Sequence, residues 1–158
     1  MKGISALWTA CALIAAESPL DRAYAELRAK NYDAAIALFR EGLRIEPART
    51  GPRKDLAYTL LKTGETEQAR DEFARVMRDD PADTHVALEF AFLAYETRQP
   101  VEARRVFDRL RRTGNATAEQ AFQNIDKPLA DGIARWQRAL AQEPNNFSGH
   151  EELAKLAA

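Results

Sequence analysis

Cysteine, histidine and glycine are scarce in this 158-residue sequence, and each scarcity removes a class of functional site. The single cysteine, Cys11, excludes a disulfide within the chain and a zinc site built on cysteines. The two histidines, His85 and His150, lie too far apart to ligate one metal ion from one helix. The 7 glycines form no phosphate-binding loop, and neither a G-x-S-x-G elbow nor an H-E-x-x-H motif is present. The sequence therefore indicates a protein that is not an enzyme and that uses no cofactor or metal.

An excess of charge is also missing, because 23 basic and 24 acidic residues leave a formal net charge of −1. This balance gives no electrostatic reason to expect nucleic acid or an acidic lipid surface as a partner. A composition with 46% hydrophobic and 30% charged residues is typical of a globular chain rather than a disordered one. Any partner would thus be recognised by shape and local chemistry.

Long hydrophobic runs are absent except at the amino terminus. After Lys2, the run from Ile4 to Ala16 carries no charge, which is typical of a short secretory signal cleaved after Ala16. At about 1.5 Å per residue this run is too short to span a bilayer as a helix, so stable membrane insertion is not expected. The pattern predicts that residues 1–16 are a signal peptide and that the protein is exported to the periplasm or cell envelope of a bacterial-type cell. The alternative is a cytoplasmic protein in which the run forms an extra apolar helix packed on the one that follows.

What the sequence does contain is a repeat of about 34 residues, visible in small residues, aromatic residues and prolines at fixed places. In the central unit these are Ala57, Ala69, Phe73 and Pro81. The unit before it has Ala23, Ala35, Phe39 and Pro47, and the unit after it has Ala91, Ala103 and Phe107. Each unit combines two segments of helical periodicity separated by a turn, so each predicts two antiparallel amphipathic helices.

The central unit shows why such pairs must stack. Its predicted helices cover residues 53–63 and 65–79, with Gly64 ending the first and Pro81 preventing continuation of the second. Alanines let paired helices approach closely, and Phe73 can fill the wedge between one pair and the next. A single pair cannot bury its own apolar face, so several pairs must stack to share a core.

A repeat unit of this length and pattern resembles the tetratricopeptide repeat family. The resemblance implies an all-α fold, a right-handed α-solenoid of antiparallel helix pairs, with about nine helices after the signal-like segment. We expect regular repeats over residues 17–48, 49–82 and 83–116, a degenerate repeat over 117–146 and a terminal helix over 147–158. In the degenerate repeat, a helix capped by Thr117 and Gln120 is predicted to turn at residues 126–128 into a second helix that ends at Gln142.

The resemblance also implies a binding surface, because the first helices of the pairs line a concave groove in that family. The residue after the first alanine of each unit is aromatic, and residues four before and four after it share its helical face. The predicted groove residues are Leu20, Tyr24, Arg28, Lys54, Tyr58, Lys62, Leu88, Phe92 and Glu96. The alternative is that the three rings pack on neighbouring helices and contact no ligand.

These features predict a non-enzymatic scaffold or adaptor that binds a peptide segment of a partner protein. Family members that hold the C-terminal carboxylates of chaperones use lysine, asparagine and arginine on the first helices. The corresponding residues here do not match that set, which disfavours a chaperone-tail adaptor; they are Leu20, Tyr24, Asp55, His85 and Glu89. The alternative function is a structural or oligomerisation segment, or the front part of a longer array. Its groove would be filled by its own chain or by another copy, with self-association through the terminal helix.

Overall fold

The computed structural model describes residues 17–157, and these residues form eight α-helices and no strand. The all-α solenoid predicted from the repeat is thereby confirmed, and the predicted signal peptide lies outside the described residues. The helices are α1 (Pro19–Arg28), α2 (Tyr32–Ile45), α3 (Thr50–Lys62), α4 (Thr66–Asp79), α5 (Thr84–Glu96), α6 (Pro100–Arg111), α7 (Ala116–Gln142) and α8 (Phe147–Ala157). No described helix combines the length and apolar character needed to cross a bilayer.

Each helix packs against the next along the chain, so the core is one continuous layer between helix pairs. Phe39, Phe73 and Phe107 have no exposed surface, one on each of α2, α4 and α6. The alanines that recur with them are equally buried on both helices of each pair. The helix faces predicted from the repeat spacing are therefore the buried ones.

The first and third helix pairs begin with side-chain caps. The Ser18 hydroxyl accepts a hydrogen bond from the Asp21 N–H at 3.1 Å, and the Asp21 carboxylate accepts one from the Ser18 N–H at 3.3 Å. Asp83 caps α5 by accepting from the Val86 N–H at 3.1 Å. These bonds satisfy N–H groups that have no partner within the helix and thereby set where α1 and α5 begin.

The turns inside the three regular pairs share one backbone conformation. Lys30, Gly64 and Arg98 follow α1, α3 and α5 at the interval of the repeat, and all three have positive φ values of 62°, 82° and 62°. This left-handed conformation ends a helix and redirects the chain into the next one. Only glycine adopts it without steric cost, so the first and third turns carry strain that the second avoids.

The two helices predicted over the degenerate repeat are in fact one, which corrects the expected number of nine. α7 runs without a break through Pro128. A proline inside a helix leaves the carbonyl four residues earlier without its donor, but Asn124 and Pro128 are both exposed, so water can take that role. The apolar stripe of Phe122, Ile125 and Leu129 crosses the proline and packs against the core. Burial of a continuous stripe outweighs the local signal for a turn.

Two arginines of α6 hold α7 in place, and one of them, Arg111, stands where the two earlier units have Leu43 and Met77. The guanidinium carbons of Arg104 and Arg111 lie 4.9 and 4.1 Å from the ring centroid of Phe122. Arg104 also donates to Asp126, and Arg111 pairs with Glu119 at 3.6 Å. Their role is cation–π and ionic contact with the next helix.

The last two helices both have asparagine caps, and the cap of α7 differs from the prediction. Asn115, not Thr117, caps α7 by accepting from the Ala118 N–H at 2.9 Å. Asn146 accepts from the Gly149 N–H at 2.9 Å, so α8 begins at Phe147. An asparagine caps as well as a serine or threonine, and Asn115 comes before Thr117 along the chain.

The carboxyl-terminal end of the array is packed more loosely than the rest. The second half of α7 and α8 form a helical hairpin in which Leu156 faces Gly132 and Leu140 faces Gly149. The ring of Phe147, the first residue of α8, is 79% exposed. The large apolar side chains described for α8 are at most partly buried, so this end of the solenoid presents apolar surface to solvent.

Candidate functional site

The candidate site is the surface of α1, α3 and α5 that carries Tyr24, Tyr58 and Phe92, which we call the groove surface. Each of these rings meets the buried phenylalanine of its own helix pair edge to face. The centroids are 5.1 Å apart for Tyr24 and Phe39, 5.0 Å for Tyr58 and Phe73, and 5.0 Å for Phe92 and Phe107. One side of each ring is thus part of the core, as the packing interpretation held, while the rest faces the neighbouring first helix.

The two tyrosines use their hydroxyls to connect successive first helices. Tyr24 Oη donates to Asp55 Oδ2 of α3 at 2.7 Å. Tyr58 Oη lies 2.9 Å from His85 Nε2 and donates to Glu89 Oε1 of α5 at 3.5 Å. Burial raises the pKa of Tyr24, and the bond to Asp55 adds to the shift; burial and the Glu89 charge raise the pKa of Tyr58 to about 12. Both phenols therefore stay protonated and act as donors at neutral pH.

Phe92 has no hydroxyl, and the surface beside it is correspondingly open. Its ring is 45% exposed and lines a cleft between α5 and α7. The other lining residues are Ala116, Thr117, Gln120, Ala121 and Asn124. Gln120 and Asn124 are exposed, and their side-chain amides make no hydrogen bond within residues 17–157. This cleft thus combines an apolar wall with free amide donors and acceptors.

The α7 side of this cleft is missing from the predicted set because the repeat period changes there. A signal for it does exist in the spacing from the helix caps. Asn124 follows the cap Asn115 by the same interval as Phe92 follows the cap Asp83. Measured from the caps rather than from the alanines, the groove position of α7 could have been found.

Besides the three rings, the predicted groove residues Leu20 and Leu88 also belong wholly or partly to the core. Leu20 is only 4% exposed, so its assignment to the groove is wrong. It lies against Gly42 of α2, where an added Cβ would stand 2.4 Å from Leu20 Cδ2, so the glycine makes the room that draws the leucine inward. Leu88 is partly buried and packs against the core from α5.

The predicted basic centre of the groove is only partly available. Lys54 Nζ donates to Asp83 Oδ2 at 3.1 Å, so its charge is directed to the cap of α5. The Val86 N–H and then Lys54 hold the pKa of Asp83 below its usual value. Lys62 is exposed and makes no ion pair within the described chain. The two lysines that flank Tyr58 therefore do not form a symmetrical pair.

The free cations gather instead at one end of the groove surface. Arg28 and Lys62 line a cleft between α1 and α3 together with Lys30, which sequence reasoning missed because it sits in the turn after α1. Glu96, the corresponding residue of α5, is exposed. The groove surface thus changes from basic at α1 and α3 to acidic at the end of α5. In residues 17–157 no three potential ligands converge as a metal site.

Comparison with known proteins agrees with this architecture. A family model described as tetratricopeptide repeat matches residues 26–87. No curated protein matches the sequence.

Solved structures similar to the chain share little of its sequence, so their likeness shows the fold alone. The crystal structure of MamA protein is 12% identical and superposes with a TM-score of 0.62, covering 87% of this chain and 78% of that one. MamA from Desulfovibrio magneticus RS-1 is 19% identical, with a TM-score of 0.57 and coverage of 87% and 81%. The first TPR of Spaghetti (RPAP3), bound to the HSP90 peptide SRMEEVD, is 15% identical, with a TM-score of 0.56 and coverage of 71% and 90%.

Proposed function

We propose that this chain, which belongs to the tetratricopeptide repeat family, is a non-enzymatic scaffold that holds an extended segment of a partner protein on its groove surface. The observation that carries the proposal is the cleft beside Phe92. An aromatic ring that is 45% exposed stands next to the unpaired amides of Gln120 and Asn124. A ring offers stacking area for an apolar side chain, and amides can pair with the backbone of an extended peptide.

Two further features support a peptide as the ligand. The rings of Tyr24 and Tyr58 are held in place from behind by their edge-to-face contacts with Phe39 and Phe73, so this part of the surface is formed before a ligand arrives. A structural relative with the same fold holds a peptide of a chaperone. The chemistry of that recognition is not carried over, because Tyr24, Asp55 and Glu89 occupy positions where a carboxylate-binding set would need cations or amides.

The test is selection of short random peptides on the full-length chain, followed by calorimetric titration of the selected peptides. Phe92→Ala should weaken binding by about 2 kcal/mol or more, as truncation of an aromatic anchor commonly does. Asn124→Ala should also weaken it, and alanine at this exposed helical position does not impair folding. The matched control is Ile45→Ala, which removes an exposed apolar side chain from the end of α2, away from the groove.

If the chain selects no peptides, or if Phe92→Ala and Ile45→Ala have equal effects on affinity, the groove surface is not the binding site. Circular dichroism of each variant separates this outcome from a loss of structure.

The exposed apolar surface of α8 supports a second candidate function, self-association through the terminal helix. Phe147 is 79% exposed at the start of α8, beside the loosely packed hairpin of α7 and α8. A structural segment should associate through this surface. Sedimentation of the wild-type chain and of Phe147→Ser decides the question. Concentration-dependent dimerisation that the substitution abolishes would support this function over an adaptor that is monomeric.

The place of action that we propose is the cell envelope, because Lys2 and the charge-free run after it have the pattern of a secretory signal. Amino-terminal sequencing of the fractionated native protein should then find a start near Glu17. An intact Met1 start in the cytoplasmic fraction would contradict export.

A further inference from the structure

The end of the groove surface between α1 and α3 has a distinct chemistry from the cleft at Phe92. Arg28 lies at the end of α1, Lys30 in the following turn and Lys62 at the end of α3, and all three line one cleft. All three are exposed. In the described part of the chain none of them makes an ion pair or a side-chain hydrogen bond, whereas Lys54 on the same surface is paired with Asp83.

The remaining lining of this cleft is mostly apolar or aromatic, with Leu27, Tyr32 and Tyr58 among its residues. One acidic residue, Asp55, also lines it, but its Oδ2 already accepts a hydrogen bond from Tyr24. Three cations against one carboxylate leave a net positive charge. Because three cations act together on a group bound in the cleft, a ligand carboxylate would gain more here than at an isolated surface lysine.

Lys30 occupies a turn position at which glycine is the unstrained residue. Its φ of 62° lies in the left-handed region, and Gly64 occupies the equivalent turn of the next pair with a φ of 82°. Glycine would therefore meet the backbone requirement at position 30 without strain. The lysine side chain has no partner in residues 17–157 that offsets this cost, so its charge is available to a ligand.

We propose that Arg28, Lys30 and Lys62 bind side-chain carboxylates of the partner peptide, so that the groove selects segments carrying aspartate or glutamate at the end that lies between α1 and α3. This proposal rests on the proposed function, since it specifies the ligand of the same groove. The net charge of the cleft suits one or two single negative charges. An apolar residue of the same segment would then face Phe92 at the other end.

The test compares two matched peptide libraries on the full-length chain. One library carries a fixed pair of glutamates beside random positions, and the other carries glutamines in their place. The wild-type chain should bind the glutamate library more tightly at low salt, and the preference should shrink as salt is added. Lys30→Gly and Lys62→Gln together should reduce the preference for glutamate by about tenfold, the sum of two exposed ion pairs.

Arg98→Gly is the matched control for Lys30→Gly. Both substitutions remove one exposed positive charge and place glycine at a position of positive φ, but Arg98 does not line the cleft. Lys30→Gly should weaken glutamate binding while leaving the fold at least as stable as before, and Arg98→Gly should leave binding unchanged. Lys62→Glu leaves two cations against two carboxylates in the cleft and should abolish the preference for glutamate.

The outcomes separate this proposal from the one on which it rests. Equal binding of the glutamate and glutamine libraries, both lost in Phe92→Ala, would overturn the carboxylate site and keep the groove. Binding of neither library would overturn the groove itself. A glutamate preference that Lys30→Gly and Arg98→Gly reduce equally would show that net charge, and not this cleft, recognises the ligand.

Discussion

The strained turn after α5 permits a prediction whose sign depends on backbone conformation alone. Arg98 has a φ of 62° and no side-chain partner in the described residues. A residue other than glycine in the left-handed region costs about 1–2 kcal/mol. Glycine removes that cost but gains about 0.4–1 kcal/mol of conformational entropy in the unfolded chain. The difference predicts that Arg98→Gly raises the free energy of unfolding by about 1 kcal/mol.

The reverse change can be made at the equivalent turn. Gly64 has a φ of 82°, and a Cβ placed on it would contact nothing within 4 Å. Gly64→Ala therefore meets no steric obstacle, and its expected loss of about 1 kcal/mol comes only from the backbone conformation. The two substitutions should thus be nearly equal in size and opposite in sign.

Ala37→Gly is the control for a glycine in ordinary helical conformation. Ala37 is exposed within α2, where glycine costs about 1 kcal/mol relative to alanine. Equilibrium unfolding in urea, followed by circular dichroism, measures all three variants on the same transition. If Arg98→Gly destabilises the protein as Ala37→Gly does, Arg98 does not hold the left-handed conformation, and the shared turn geometry of the three pairs is refuted.

Two other substitutions test the core and α7 in the same urea assay. Arg53 donates to Glu72 at 2.8 Å, and both side chains are largely buried. Glu72→Ala should therefore lower the free energy of unfolding by about 3–5 kcal/mol, because it leaves a buried cation without its carboxylate. The control is Glu46→Ala in the exposed ion pair with Arg49, which should cost under about 1 kcal/mol. Pro128→Ala should stabilise the protein by up to about 3 kcal/mol, because α7 is continuous and the new N–H can donate within it. A destabilised Pro128→Ala would mean that the helix begins at the proline, where proline is favourable.

The parts of the fold that the sequence predicted are those in which local pattern and burial agree. In the first three pairs, Phe39, Phe73 and Phe107 mark the buried face at equal spacing, so periodicity alone was sufficient. The prediction failed at Pro128, where the local rule for proline opposed a longer apolar stripe. It failed again at Leu20, because its burial depends on the missing side chain of Gly42 on another helix. Neither effect is visible to a pattern read along one helix.

For the candidate site, the sequence predicted which residues share a helical face but not which of them form ion pairs or hydrogen bonds with each other. Tyr24, Tyr58 and Phe92 do occupy equivalent places, each against the buried phenylalanine of its own helix pair, yet only the structure shows that Lys54 is paired with Asp83. Spacing identifies which side chains share a face. It does not show which of them have already satisfied one another across two helices.

The hydrogen bonds between first helices also explain why the two proposed ligand contacts, the basic cleft of α1 and α3 and the cleft at Phe92, lie at opposite ends of the groove surface. The tyrosine hydroxyls donate to Asp55 and Glu89, residues at equivalent places one repeat apart, and so join α1 to α3 and α3 to α5. Counted from the helix caps, the corresponding residue of α7 is Ala121, which lines the cleft beside Phe92 and has no side-chain acceptor. Because Phe92 has no hydroxyl to donate, nothing equivalent joins α5 to α7, and the surface opens there. The cations of α1 and α3 line a cleft together with Asp55 and Tyr58 of the joined region. No carboxylate of the described chain forms an ion pair with these cations, so the basic contact lies on the α1 side of the groove surface and the apolar contact at Phe92 lies on the α7 side.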